Sequence, residues 1–192
     1  MKRCFDIIGA VFALILFSPL FLFCYFSIRM EDGKPVIYKQ ERIGYHGKPF
    51  YIYKFRSMRI DAEKDGPQLL LDGKMNDPRL TKIGRFLRAH HLDELPQLWN
   101  VLVGDMSFVG YRPERKYYIE QIMKHNPRYE ELYQVRPGIT SMATIFNGYT
   151  DTMDKMLRRL DMDLYYLKRR SLSLDMKILV MTFFNIMGGK KF

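Results

Sequence analysis

The sequence predicts an α+β protein. A kinked, apolar N-terminal helix enters a membrane, and a mostly helical domain with one small β-hairpin lies on the membrane surface. Three observations predict this. An apolar run covers residues 5–28, two β-rich runs flank a turn at Gly44–Gly47, and the later segments repeat apolar residues at helical spacing. With 192 residues and 47% hydrophobic content the chain can build one compact core plus an appendage, divided near residue 30.

The apolar run reads FDIIGAVFALILFSPLFLFCYFSI, in which fifteen residues are Leu, Ile, Val or Phe. At roughly −0.3 to −0.6 kcal/mol each near the bilayer centre, they outweigh Asp6, which costs about 3 kcal/mol at worst and lies at the end of the run. The run is too long for the apolar part of a cleaved signal peptide, and no small-x-small cleavage site follows it. A straight helix of this length measures about 36 Å, against a hydrocarbon core of about 30 Å. Ser18-Pro19 falls in its middle, where proline removes a backbone hydrogen bond and crowds the preceding turn, so a kink is predicted there. Lys2 and Arg3 precede the run while Arg29, Lys34 and Lys39 follow it, so the flanking cations choose no orientation. On these residues a kinked span and a helix that enters and leaves by the same face both stay open.

Next, PVIYKQERIGYHGKPFYIYKFRSM (35–58) supplies the two β-rich runs of the hairpin. Residues 60–78 mix charge, Gly and Pro and predict a loop or a short helix. Leu80, Ile83 and Leu87, with Lys82, Arg85 and Arg88 on other faces, predict a short amphipathic helix. Residues 117–134 read as a helix interrupted at Pro127. Over 151–170, Met153, Met156, Leu157, Leu160, Leu164 and Leu167 form one stripe, the pattern of core packing. The tail KILVMTFFNIMGGKKF is too short in its apolar part to span, and predicts an interfacial helix whose terminal lysines meet headgroups.

A net charge of +10 and a pI near 9.6 favour anionic partners: nucleic acid, nucleotide-sugar phosphates or an anionic membrane face. A nucleic-acid binder would stack bases on Tyr51, Tyr53 and Phe55. The apolar N-terminus, which places the chain on a membrane, argues against nucleic acid. Cys4 and Cys24 lie in the apolar stretch without metal-ligand spacing, so they predict neither a disulfide framework nor a zinc site.

HLDELPQLWN (91–100) sets two acids side by side in this basic chain. Asp93 and Glu94 can simply start the helix that continues QLWNVLV, capping free N–H groups for about 1 kcal/mol. Their surroundings point further. Arg85, Arg88, His90 and His91 precede them, and GDMSFVGYRPE (104–114) follows with Arg112. A helix start flanked by arginines and glycines seats phosphates. Ionised carboxylates there can hold Mg²⁺, which takes oxygen ligands and bridges to substrate phosphates. An aspartate beside a diphosphate can also act as a nucleophile.

YKFRSM (53–58), LDELPQLWNVLVGDMSFVGYRPE (92–114) and VRPGIT (135–140), in that order behind an apolar N-terminus with a central Ser-Pro, resemble the bacterial sugar transferase family, specifically its small monotopic phosphoglycosyl transferases. The resemblance runs over essentially the whole chain. It implies an enzyme that moves a sugar-1-phosphate from a UDP-sugar to polyprenol (undecaprenyl) phosphate, with release of UMP, at the start of a lipid-linked surface glycan. Asp93 then matches the nucleophile that carries a covalent phosphosugar and Glu94 its acidic partner, with Mg²⁺, which Asp93 and Glu94 could hold, organising the diphosphate. Ser18 and Pro19 match the break of a re-entrant membrane helix. The resemblance thus implies residues 1–30 inserted in the bacterial inner membrane among its lipids, and residues 31–192 as a catalytic domain on the cytoplasmic face. It involves no nucleic acid and is compatible with a homo-oligomer.

Lys54, Arg56, Arg88, Arg112 and Arg136 are candidates for binding substrate phosphates, weighed against roles as structural cations; Arg136 and Gly138 also suit a turn near the site. Asp175 matches an acidic position of the family's last helix, or caps that helix. His90 and His91 read as solvated or structural. Two departures leave the donor sugar open: Tyr111 stands where a proline is common, and the residues after Thr140 differ from the family's usual Gly-Trp-Ala-Gln. A non-catalytic membrane scaffold of the same family is the rival reading, and the intact Asp93-Glu94 pair argues against it.

Overall fold

The computed structural model describes residues 1–62, 64, 77–148 and 150–188. The apolar run folds as two helices, α1 (Lys2–Leu16) and α2 (Ser18–Asp32), bent by 61° at Phe17. The predicted kink therefore sits at Ser18-Pro19. Pro19 has no N–H for the carbonyl of Ile15, four residues back, and the Ser18 hydroxyl donates to that carbonyl instead, at 2.8 Å. Among the described residues no single helix is long and apolar enough to cross a membrane, although the bent pair together is.

The hairpin forms as predicted, with β1 (Ile37–Ile43) antiparallel to β2 (Pro49–Phe55) in a register from Ile37 opposite Phe55 to Ile43 opposite Pro49. A 3₁₀ turn at Tyr45–Gly47 joins them. The amphipathic pattern after Leu80 becomes α3 (Lys82–Ala89), N-capped by Thr81. Most of the 60–78 stretch lies outside the described residues. A 3₁₀ turn, Leu92–Glu94, leads into α4 (Gln97–Val103). The predicted break at Pro127 separates α5 (Lys116–His125) from a 3₁₀ segment, Pro127–Gln134. After α6 (Met142–Asn147) come α7 (Met153–Arg169) and α8 (Leu172–Met187).

One pairing has no counterpart in the sequence reading. β3 (Ser107–Val109) and β4 (Gly138–Thr140) form a parallel pair of three residues each, too short to show a period.

The whole apolar stripe of α7 packs in one cluster with Tyr111, Ile119, Ile122, Tyr129 and Leu132. A second cluster joins Cys24 and Ile28 of α2 to Phe55 and Leu87, and a third joins Ala10 of α1 to Ile52, Val101 and Met106. Each N-terminal helix thus buries one face against the domain. Their other faces carry Ile8, Phe12, Ile15, Leu22, Phe23, Phe26 and Met30 in the open, and α8 exposes Val180, Phe183, Phe184 and Met187.

Both ends of the bent pair are tied to the domain by polar contacts. At the start of α1, the Lys2 Nζ meets the Asp175 carboxylate at 2.5 Å, Arg3 donates to the Val101 and Leu102 carbonyls, and buried Asp6 accepts from Ser107 Oγ and the Phe108 N–H. At the end of α2, the Glu31 carboxylate accepts the Lys82 and Ile83 N–H groups, and Arg56 donates to the Asp32 and Gly33 carbonyls.

Candidate active site

The adjacent acids do not cap α4. Its first residue is Gln97 behind Pro96, without a side-chain cap, and Asp93 and Glu94 occupy their own 3₁₀ turn one step earlier. His91 initiates that turn in the left-handed region, at φ 55° and ψ 20°, an uncommon conformation for a residue with a Cβ. A 3₁₀ turn repeats every three residues, so Leu92 and Leu95 fall on one side and pack into the α2–α3 cluster. The two acids between them line a cavity of about 690 Å³.

The cavity wall around the pair is cationic. Lys54, at the end of β2, holds Glu94 Oε1 at 2.6 Å. Asn100 of α4 sets that strand: its Oδ1 accepts the Tyr53 N–H and its Nδ2 donates to the Tyr51 carbonyl. Arg88, near the end of α3, donates from Nε to Ser57 Oγ at 2.8 Å. Arg88, His91 and Arg112 line the same cavity as the two acids.

Charge is divided unequally between the acids. Burial raises the Glu94 pKa, but Lys54 and Arg112 overcome it and hold the group below the usual carboxylate range. For Asp93, 5% exposed, burial dominates and pushes the pKa up against the pull of Lys54, because Lys54 is bonded to its neighbour. Glu94 is the paired anion. Asp93 is the buried carboxyl facing the cavity.

The remaining predicted residues divide. Arg56 reaches the cavity wall, but its guanidinium is spent on the end of α2 through the Asp32 and Gly33 carbonyls and the Asp32 carboxylate. The structure does not bring Arg136 to the cavity wall: its Nε donates to the Gly104 carbonyl and its guanidinium covers the Tyr45 ring. Asp175 is not the cap of α8, a role taken by Ser171; it is buried, and accepts from Tyr166 and Lys2. His90 packs on Phe86, as a structural histidine does, whereas His91 belongs to the cavity.

Sequence reasoning passed over Asn100, Arg42, Glu114, Arg159 and Asp163. A signal was available for Asp163, a polar residue in a helix at a phase shared with buried Met156 and Leu160, and it is buried here. Asp163 faces Arg159, the Arg112 backbone N–H and the Ser141 hydroxyl, yet burial outweighs them and pushes its pKa up to about 7.

A pH test follows. A carboxyl with a raised folded pKa contributes stability that is complete below its unfolded pKa of about 3.9 and is lost as the pH rises through the folded value. Asp163→Asn is neutral throughout. From about pH 5 to about pH 8 the native protein should therefore lose on the order of 2 kcal/mol relative to that variant, read as the difference between their thermal unfolding curves in detergent.

Fold and cavity define a class: a two-carboxylate, cation-walled site held against a bent apolar helix pair. The description of the bacterial sugar transferases matches residues 1–189, and the chain belongs to that family. It is 41% identical over 189 residues to the UDP-N-acetylgalactosamine-undecaprenyl-phosphate N-acetylgalactosaminephosphotransferase of Aeromonas hydrophila, covering 98% of this chain and 44% of the relative. It is likewise 41% identical over 186 residues to the UDP-glucose:undecaprenyl-phosphate glucose-1-phosphate transferase of Escherichia coli K12 (96% and 39%). With the transferase of the same name from Caulobacter vibrioides it shares 39% identity over 183 residues (94% and 67%). The chain thus spans less than half the length of the first two relatives.

Proposed function

We propose that this protein transfers a sugar-1-phosphate from a UDP-sugar to undecaprenyl phosphate, by way of a phosphosugar carried on Asp93. The observation that carries the reading is Asp93 itself: a buried carboxyl, beside an acid already neutralised by Lys54, facing a cavity walled by Arg88 and Arg112. The relatives' names supply the class of donor and acceptor.

In the first step an Asp93 oxygen attacks the phosphorus that bears the sugar. The bond from that phosphorus to the bridging oxygen breaks, and UMP leaves with the oxygen. In the second, a phosphate oxygen of undecaprenyl phosphate attacks the same phosphorus and frees the carboxylate. Arg88 and Arg112 face the charge that accumulates on the phosphoryl oxygens. Lys54 keeps Glu94 ionised and also pulls on Asp93, where burial outweighs it.

The donor set fits Mg²⁺, a hard cation that a site can hold by one or two carboxylates together with substrate phosphates. Asp93 and Glu94 would hold it, and it would neutralise diphosphate charge when bound.

The acceptor's lipid tail requires a site at the membrane surface. The cavity meets that need: besides the acids it is lined by Phe17 at the helix bend, by Phe108 and Ile139, and by Ile186 of α8. The polar ties at both ends of the bent pair support a re-entrant insertion of residues 1–30, since Lys2, Arg3 and Asp6 at one end and Glu31 at the other are bonded to the same domain. Residues 31–192 then stand on the cytoplasmic face of the inner membrane. Epitopes fused at the two ends of the chain should both survive protease added outside spheroplasts; loss of the N-terminal one alone sinks the re-entrant insertion.

The deciding assay is UMP release by the detergent-purified protein with undecaprenyl phosphate, Mg²⁺ and a panel of UDP-sugars. Release that needs the lipid acceptor is expected with at least one sugar. Silence across the panel from folded protein favours the scaffold.

A further inference from the structure

The segment Arg112-Pro113-Glu114 is held from two sides. Arg42 of β1 donates from one guanidinium nitrogen to the Pro113 carbonyl at 3.1 Å and to Glu114 Oε2 at 3.2 Å, and the Ile43 N–H donates to the Glu114 carbonyl at 3.1 Å. From α7, Arg159 donates to the other carboxylate oxygen of Glu114. Both oxygens are therefore taken by arginines from elements far apart in the chain, and all three side chains are largely buried. Pro113 fixes φ between the clamped residue and Arg112, and the Asp163 carboxyl lies against the Arg112 N–H. The backbone that launches the Arg112 side chain is thus over-determined.

The electrostatics give that arrangement a purpose. Arg42 and Arg159 both lie within range of the Arg112 charge, and Glu114 is the anion that offsets the pair. Without that anion the three guanidinium groups would repel one another, which disfavours the position Arg112 takes at the wall. Exposed ion pairs contribute little, but here each carboxylate oxygen has its own guanidinium inside a low-dielectric wall, where loss of the anion leaves two buried cations unbalanced.

We infer that Glu114 is a positioning residue for the transfer reaction: clamped by Arg42 and Arg159, it holds Arg112 at the cavity wall beside the carboxylate pair. The inference rests on the transferase reading above. Glu114, Arg42 and Arg159 line the same cavity as Arg112; with both carboxylate oxygens held by the two arginines, Glu114 acts on the reaction through Arg112.

A double-mutant cycle tests this, because a residue acting through Arg112 has nothing left to act on once Arg112 is gone. Glu114→Gln should lower kcat for UMP release about tenfold, with KM for the UDP-sugar changing less. In the Arg112→Ala background the same substitution should cost less than twofold. Amide exchange in the native protein and in Glu114→Gln should differ first over residues 110–115. Arg159→Lys, which keeps the charge and loses the fork geometry, repeats the cycle should Glu114→Gln fail to fold. Equal losses with and without Arg112, or full activity in Glu114→Gln, overturn the inference while leaving the transferase in place. Silence from the native enzyme overturns the transferase reading, and the inference falls with it.

Discussion

Asp93→Asn is expected to remove UMP release, by at least about a thousandfold, while the variant stays folded and membrane-bound. The amide is isosteric but cannot act as the nucleophile toward phosphorus, so what falls is the chemical step and not the binding of either substrate. Stability should not suffer. Asp93 is buried with its pKa pushed up, and Lys54 is bonded to Glu94, so replacing the carboxyl by a neutral group removes a group that burial penalises. Glu94→Gln should behave differently, because it leaves the Lys54 ammonium half-buried without its anion and lowers both activity and stability. A trapping experiment separates mechanisms. Incubated with a UDP-sugar carrying a labelled β-phosphate and no acceptor, the native protein should retain label through denaturation and Asp93→Asn should not. Turnover by Asp93→Asn, or label that survives on it, sinks the aspartyl intermediate.

The parts that sequence could show are those governed by short-range chemistry. Pro19 removes an N–H and bends the run wherever that run goes. Gly44 and Gly47 frame a turn, and six apolar residues at helical spacing could only face one core. Arg88, Asp93 and Glu94 could be grouped from sequence because they lie within seven residues, and the fold sets all three on one cavity. What stayed hidden depends on distant pairings. The partners of Glu114 come from 72 and 45 residues away, and nothing local marks either arginine as its mate. Local rules also misplaced two acids. Asp93 and Asp175 both look like helix caps, yet α4 starts later and α8 is capped by Ser171, which leaves each carboxylate to a partner or a cavity that only the fold creates. Arg136 of VRPGIT reads both as a phosphate candidate and as part of a turn; its guanidinium is placed by the Gly104 carbonyl, away from the cavity wall.

A large effect on folding is expected from Gly138→Ala. A Cβ at that position would lie 2.1 Å from the Gly110 nitrogen, 2.5 Å from the Thr140 oxygen and 2.8 Å from the Gly110 Cα. All three are backbone atoms, so no rotamer can relieve the clash; the β3–β4 pair must come apart. Hydrogen bonds at the ends of that pair include Ser107 N–H to the Pro137 carbonyl, Gly110 N–H to the Thr140 carbonyl, and Gly138 N–H to the Tyr111 carbonyl. The cost should be about 3 kcal/mol or more, a fall of roughly 6–12 °C in Tm for a chain of this size. The consequence reaches the chemistry. Separation of β3 from β4 releases residues 110–114, and with them Arg112, and it unseats Ser107 and Phe108, whose polar groups hold Asp6 of the N-terminal helix. Any Gly138→Ala protein that remains folded should therefore lose both UMP release and protection of the α1 amides from exchange. A variant with native Tm and activity would mean that the two backbones do not approach this closely, and the parallel pair that carries Arg112 toward the acids would have to be abandoned.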